Sequence, residues 1–508
     1  FGQAAAVGPK ASYTWFHVGV AELVYTAMLA FAHLNCATSA RNNPQGDQNC
    51  FFGLGIGFVL VAGGYAAGEI SGASFNPAVT LGLDVTGSGG TGKSGGFWRV
   101  AYVLYELLGA GLAAILFRLC RLSEVSGTSA GFERGAYLQI KIEAAHNLTN
   151  NEFGMSGVSD PYVSASLGIE MHRTPTINNN LNPVWTTDNV FTFDLVSSPD
   201  QPASQVLTLE VANDNTVFKD QSMGTLTLDV SGLREGQWHH VRQKLEGSRS
   251  GELEVSLLRL SSGSLTQPSL FSQTVSEGVG TFMLAFTVGL NVISKSPATA
   301  FSAAAALMSM IYSLGNVSGG HFNPAVTVAV VLSGRGVCAP VQGLVYVLVQ
   351  LAAGVLAGLL FEDFHYAGPY RNEFFGLAPG ASVQVLGETY TWWTVFWAEL
   401  AFTGMIAFVV LAVATTKPQQ ALSKQNFPFA LAIGSCVTAG GFAIGAISGG
   451  ELNPAVSWAL ATASSVHPKS GRLAAPWTYC LSFSIFELAG GFVAAGLFHL
   501  THRTEYVK

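Results

Sequence analysis

The chain has 508 residues, 49% of them hydrophobic and only 11% charged. Soluble proteins carry about 25% charged residues, so this density, with a mean hydropathy of +0.37, points to lipid as the main solvent. A net charge of −7 argues against a nucleic-acid partner, which needs basic surface.

The chain opens at Phe1 with no initiator Met and no cleavable signal pattern, which reads as a trimmed N-terminus. Apolar stretches able to cross about 30 Å of hydrocarbon follow near 15–38, 51–70, 97–118, 278–294, 298–315, 341–361, 393–415, 427–446 and 477–500. Between the third and fourth lies a polar segment, 134–260, with period-two runs such as Tyr137-Leu138-Gln139-Ile140-Lys141-Ile142-Glu143. That pattern predicts β-strands, so a soluble β-domain interrupts a helical membrane protein. The Ser- and Gly-rich segments 123–131 and 261–267 read as linkers.

The chain repeats itself. Thr14-Trp15, Ala21-Glu22-Leu23, Ile70-Ser71-Gly72, Asn76-Pro77-Ala78-Val79 and Glu106-Leu107 return as Thr391-Trp392, Ala398-Glu399-Leu400, Ile447-Ser448-Gly449, Asn453-Pro454-Ala455-Val456 and Glu487-Leu488. Glu22 to Asn76 and Glu399 to Asn453 are both 54 positions. A more distant copy lies between them, with Glu277, Ser318-Gly319-Gly320, Asn323-Pro324-Ala325-Val326 and Gln350. The order is therefore three three-span units of types B, A and B.

Asn-Pro-Ala after Ser-Gly has a physical reading. Pro is tolerated in a first helical turn, where its missing N–H is an orphan anyway, and the preceding Asn caps the helix. A half-membrane helix can then start at mid-depth, its positive dipole end at the centre, where irregular backbone is tolerated only if it lines a cavity. Two such helices meeting from opposite sides bring to one constriction two Asn amides, which donate to a neutral solute, and two positive helix ends, which repel protons and cations.

This pattern resembles the aquaporin (major intrinsic protein) family over nearly all of the chain outside 123–268. The resemblance implies an α-helical membrane protein of inverted repeats with re-entrant half-helices. It implies residues 1–122 as a half channel of second-repeat type and residues 269–508 as a complete six-span channel. Its pore centre is Asn323, Pro324 and Ala325 with Asn453, Pro454 and Ala455. Asn76, Pro77 and Ala78 are the half-channel copy. Glu277, Glu399 and Glu22 are implied to brace the re-entrant loops, the alternative being a proton relay. The family's constriction positions fall on Ala303, Gly441, Gly450 and Val456. Val456 stands where the family usually has Arg. All four are small or apolar, which implies a wide constriction with few side-chain donors.

The function this implies is passive passage of water and small, glycerol-like neutral solutes. The alternative is a non-conducting, aquaporin-like scaffold subunit of a membrane assembly. The implied setting is a multi-pass position in a lipid bilayer, as a homo-oligomer (a tetramer) or as a subunit of a larger complex. A second-type half closes no pore alone, so residues 1–122 imply a complementary half channel, either as upstream sequence or as a separate polypeptide. With both termini of the full channel in the cytosol, the inserted domain is cytosolic and Phe1 is outside. Arg118, Arg121, Lys417, Lys424, Arg503 and Lys508 then lie inside, and Lys469 and Arg472 outside.

The insert resembles a C2 domain, an eight-stranded β-sandwich. The residues are Asn147-Leu148, Ser159-Asp160-Pro161-Tyr162-Val163, Leu181-Asn182-Pro183-Val184-Trp185, Phe191-Thr192-Phe193, Leu209-Glu210-Val211 and Met223-Gly224. With its linkers it covers 123–268. Many such domains bind Ca²⁺ through Asp on two loops. Asp160 is in place, and Glu152 is the nearest second acid in its loop. Asn213, Asn215 and Gln221 stand where further Asp are expected, with Asp214 and Asp220 displaced by one. These degenerate loops favour no Ca²⁺ binding. Residues 134–260 carry nine Lys and Arg against fifteen Asp and Glu, a net of −6, which disfavours adhesion to anionic lipid by charge. Protein docking or a spacer role is the preferred reading.

The six cysteines (Cys36, Cys50, Cys120, Cys338, Cys436, Cys480) show no CxxC spacing, and several lie in apolar runs, where they read as small buried thiols. The Asn147-Leu148-Thr149 acceptor triplet lies in the cytosolic domain and reads as unused. His321 reads as a pore-lining or structural residue. His172 with Arg173 is too small a basic cluster for lipid recognition. The sequence shows no catalytic constellation, phosphate loop, metal site or cofactor fingerprint.

Overall fold

Long apolar runs form helices here even where they hold glycines, because in lipid each backbone polar group must be satisfied internally, and the Asn-Pro pairs divide them. In the computed structural model the helices run α1 (Trp15–His33), α2 (Phe52–Ala67), α3 (Pro77–Gly87), α4 (Phe97–Cys120), α5 (Leu122–Val125), α6 (Leu270–Ile293), α7 (Thr299–Ser318), α8 (Pro324–Leu332), α9 (Pro340–Ala367), α10 (Trp392–Ala414), α11 (Asn426–Ile444), α12 (Pro454–Val466) and α13 (Tyr479–Thr501). The described residues are all but 1–6, 11, 40, 44–51, 88–96, 126–131, 152–156, 169, 196–205, 215–219, 235, 266–267, 374, 381–389, 417–425, 467–475 and 507–508. Cys50, Glu152, Asn215, Lys417, Lys424, Lys469, Arg472 and Lys508 lie outside them. Among the described residues seven helices are long and apolar enough to cross a membrane, and two shorter apolar helices, Phe52–Ala67 and Phe429–Ile444, stand at the other expected spans.

The chain forms two compact units, one of residues 1–127 with 267–508, the other of residues 128–266. In the membrane unit, α6 packs on α9, α10 on α13 and α9 on α12. Glycines set the closeness of α9 to α12: a Cβ at Gly354 or Gly358 would strike the Ala455 or Ala459 carbonyl. Small residues let backbones approach in this way, and close dispersion contact is what joins helices in lipid.

The N-terminal repeat packs its α1 against α4 and lays α2 on α6 and α7. Polar contacts fix this arrangement. Ser302 Oγ donates to the Ala62 carbonyl at 2.9 Å, and the Tyr25 hydroxyl bonds the Thr287 hydroxyl at 3.0 Å. Arg121 is fully buried at one end, donating to Asn35 Oδ1 at 2.6 Å and to the Ser313 carbonyl at 2.9 Å.

The second unit is a two-sheet antiparallel sandwich. Its strands are β1 (Phe132–His146), β2 (Pro161–Leu167), β3 (Glu170–Arg173), β4 (Val190–Asp194), β5 (Val206–Asn213), β6 (Gln221–Asp229), β7 (Trp238–Lys244) and β8 (Glu252–Leu265). The sheet orders are β4-β1-β8-β7 and β3-β2-β5-β6. Leu138, Ile140, Val163, Trp185, Phe193 and Leu209 are buried between them, as alternation places every second side chain inward.

Two boundaries differ from the sequence reading. Residues 261–265 and 132–135, expected as linker or its border, are strand: Phe132 pairs with Leu265 and Gly135 with Ser262. Ladder hydrogen bonds satisfy the backbone whatever the side chains, so Ser-Gly composition alone does not exclude a strand. Helix α6 also starts before the expected 278, at Leu270, because Ser269 Oγ caps the Ser272 N–H at 3.1 Å.

Candidate functional site

Each re-entrant loop needs an abrupt turn before its Asn. Gly319 and Gly320 take φ of 94° and 65°, and Phe322 takes 48°. Gly449, Gly450 and Leu452 repeat this at 116°, 71° and 58°. A left-handed conformation in a large side chain costs on the order of 1–3 kcal/mol and persists only where its surroundings over-determine it. Here it turns each Asn to cap the half-helix that follows. Asn323 Oδ1 accepts from the Ala325 N–H and Asn453 Oδ1 from the Ala455 N–H, both at 2.9 Å.

The two half-helices α8 and α12 meet at these caps. Asn323 Nδ2 donates to the Leu452 carbonyl at 2.9 Å, and Asn453 Nδ2 donates to the Phe322 carbonyl at 2.9 Å. Each amide therefore holds the strained residue of the opposite loop.

Buried carboxyls hold the loops from behind. Glu277 Oε1 accepts from Ser318 Oγ at 2.6 Å and the His321 N–H at 3.0 Å. Its Oε2 accepts from the Phe322 N–H at 2.7 Å and Gln350 Nε2 at 2.9 Å. In the other loop Glu399 accepts from the Leu452 N–H and Glu487 from the Asn453 N–H, each at 3.0 Å.

A cavity of about 550 Å³ runs past these tips. Ala303, Gly441, Gly450 and Val456 all line it, with Asn323, Asn453 and His321. At Gly441 and Gly450 the wall is backbone: a Cβ on Gly441 would lie 2.7 Å from the Ala300 Cβ, and one on Gly450 would lie 3.1 Å from the Gly441 Cα. His321 Nδ1 bonds Thr327 Oγ1 at 3.1 Å, so one ring nitrogen is engaged within its own loop.

Glu451 also lines the cavity, and sequence reasoning missed it. Its carboxyl turns back over Gly449 to meet that of Glu399. The available signal was the position two before the Asn, which holds Ser74, His321 and Glu451 in the three copies. Of the three, only the copy at 451 is an acid.

The N-terminal repeat builds the same loop. Gly72, Ala73 and Phe75 have φ of 96°, 55° and 51°. Glu22 accepts from Ser71 Oγ at 2.6 Å, the Ser74 N–H at 3.2 Å and the Phe75 N–H at 2.8 Å. Asn76 Oδ1 caps the Ala78 N–H at 2.9 Å. Its tip differs: Asn76 is exposed, whereas Asn323 and Asn453 are buried.

In the sandwich the loop acids have protein partners. The Asp160 N–H donates to Asn213 Oδ1, and Asp160 Oδ1 accepts from the Asn179 N–H, both at 2.6 Å. Arg173 donates to Asp214 Oδ2 at 2.6 Å and lies 3.5 Å above the Tyr162 ring. The Tyr162 hydroxyl donates to Asp220 at 2.8 Å. Burial and that bond hold its pKa above the ordinary value, so it stays a donor. Asn213 ends β5, Gln221 begins β6, and the two pair in register.

Comparison with known proteins agrees with both units. The Major intrinsic protein family profile matches residues 10–153 and 264–499, and the C2 domain profile matches 136–245. A probable NIP-type aquaporin of Nicotiana alata is 30% identical over 44% of this chain and 77% of its own length. Nodulin-26 of Glycine max is 29% identical over 49% of this chain and 88% of its own. A C2 domain of plant extended synaptotagmin 1 is 24% identical over 25% of this chain and 95% of its own, with a TM-score of 0.22.

Proposed function

Because the chain belongs to the major intrinsic protein family of multi-pass membrane channels, we propose that residues 269–508 form a pore passing water and small neutral solutes of glycerol size. The observation that carries this is the reciprocal pair of Asn323 and Asn453 bonds inside one cavity whose constriction positions are Ala303, Gly441, Gly450 and Val456. With Val at 456 the wall offers no guanidinium, so size rather than a ring of side-chain donors limits passage. Asn323 and Asn453 orient the solute, Glu277 and Glu399 brace their loops, and Glu22 braces the loop of Asn76.

The same reading makes the protein a homo-oligomer, a tetramer of channels. The sandwich faces the cytosol and contacts protein partners without Ca²⁺, since Arg173 neutralises Asp214 where a metal would otherwise be needed. A complementary half channel pairs with residues 1–122.

Swelling of liposomes carrying the purified chain, in water, glycerol and urea, tests the pore. Fluxes of all three above those of empty liposomes are expected. No flux above control for any solute would leave a scaffold role in place of the channel.

A further inference from the structure

In the N-terminal repeat α3 packs on α4, and among the described residues no second half-helix meets its tip. Its counterpart in the full channel shows what such a tip needs. Asn453 is 4% exposed and Val456 2%, because α8 and α9 cover them. In the N-terminal copy Asn76 is exposed and Val79 is 43% exposed. Asn453 Nδ2 has the Phe322 carbonyl as its acceptor. Among the described residues no acceptor meets Asn76 Nδ2, and its side chain caps only its own helix. An unsatisfied polar group in hydrocarbon costs several kcal/mol, so lipid is a poor occupant of this face.

The steric match is equally specific. In the full channel the glycines of α9, Gly354 and Gly358, pack on Ala455 and Ala459 of α12. By the repeat spacing, the corresponding residues of α3 are Ala78 and Gly82, both small and both exposed. The loop behind them is already held by Glu22 in the strained form that an opposite Asn would clasp.

We propose that the α3–α4 face of the N-terminal repeat is the docking surface for a three-span unit of the α6–α9 kind, which closes a second pore. This rests on the channel reading of the family loops. The partner supplies a carbonyl for Asn76 Nδ2 and an Asn amide for the Phe75 carbonyl. A second intact copy of this chain does not fit, because its own α8 and α9 are occupied by α12 and α13. On the side contributed by this chain, Gly64, Ala73 and Val79 stand where Gly441, Gly450 and Val456 stand in the first pore. The second pore is therefore also lined by small or apolar residues there, with a methyl at Ala73 where Gly450 has none and with Ser74 in place of Glu451.

The test is thiol accessibility in proteoliposomes. Val79→Cys is made in the full chain, and again in a chain extended before Phe1 by a second copy of residues 269–380. A small water-soluble methanethiosulfonate is the probe, with labelling of the unsubstituted parent subtracted. A thiol in lipid does not ionise and stays unreactive. The expected result is no labelling in the chain as it stands, and in the extended chain labelling within tenfold of that at Val456→Cys. Labelling in neither, or equal labelling in both, overturns the proposal. The outcome is independent of solute flux: a reactive thiol from Val79→Cys in the extended chain, without water or glycerol flux, retains the docking surface and counts only against the channel reading.

Discussion

Glu487 and Gln350 occupy matching places behind the two pore loops, yet one accepts where the other donates. Gln350 Nε2 gives a hydrogen bond to Glu277 Oε2 at 2.9 Å. Glu487 Oε1 takes bonds from the Asn453 N–H at 3.0 Å and Ser457 Oγ at 2.8 Å, and its Oε2 meets no donor among the described residues. The asymmetry divides the two loops into one fully satisfied carboxyl and one cluster of acids, Glu399, Glu451 and Glu487.

A swap at each position follows. Glu487→Gln keeps the accepting oxygen and adds a donor among acids, so the purified channel should melt no lower than the parent. Gln350→Glu sets a second carboxyl against Glu277 and removes its donor. Leaving a buried acceptor without its donor costs about 1–3 kcal/mol, so a fall in melting temperature is expected. Thermal unfolding in detergent reads both, and equal shifts for the two variants would contradict the assignment.

The reciprocal amide bonds give a second expectation. Asn323→Leu or Asn453→Leu removes one cap and leaves the opposite carbonyl unpaired, and each buried polar group so abandoned costs about 1–3 kcal/mol. Either change should lower water permeability at least tenfold while the sandwich unit keeps its β-sheet circular dichroism. The double variant should be less than additive, because both singles break one shared clasp. Full additivity in flux would mean that the two tips act separately.

Much of this was legible in the sequence because lipid and backbone geometry leave few options. The position of Asn before Pro announced the caps, and the shared spacing of Glu22 to Asn76 and Glu399 to Asn453 announced the repeat. Strand alternation at Tyr137–Glu143 announced the sandwich. Three features stayed hidden because they depend on which surfaces meet. Periodicity does not say that the chain after α4 meets α7, where Arg121 is buried and donates to the Ser313 carbonyl. Family position does not say that Glu451 turns onto Glu399, since that rotamer depends on the space above Gly449. Ser-Gly composition at 261–265 hid a strand whose partner is over a hundred positions away in the chain.

On the proposed reading, the size of the constriction sets selectivity. Val456 is buried against the cavity, so Val456→Arg projects a cationic side chain into the path. Glycerol and urea permeability should fall more than tenfold while water permeability falls less than threefold. Gly441→Ala is a separate matter, because its methyl would lie 2.7 Å from the Ala300 Cβ. Overpacking of that kind costs typically 1–3 kcal/mol, so this variant should lose thermal stability together with the flux of every solute. A Val456→Arg channel that still passed glycerol at the parent rate would place the constriction elsewhere.

The sandwich offers a test of its built-in cation. Arg173 stacks on Tyr162 and pairs with Asp214, whose Oδ2 also accepts from Thr176 Oγ1 at 2.6 Å. The pair is partly exposed, so its loss should cost no more than about 1 kcal/mol. Its electrostatic consequence is larger, since Arg173→Ala leaves Asp160, Asp214 and Asp220 along one edge with no compensating guanidinium. Calorimetric titration of the full chain with Ca²⁺ should show no binding in the micromolar range. Arg173→Ala combined with Asn213→Asp should bring measurable heat in the millimolar range, because added carboxylate charge is what tightens an oxygen site for Ca²⁺. Micromolar affinity in the unaltered chain would show that Arg173 yields its place to the metal, and the Ca²⁺-independent reading of this domain would then fail.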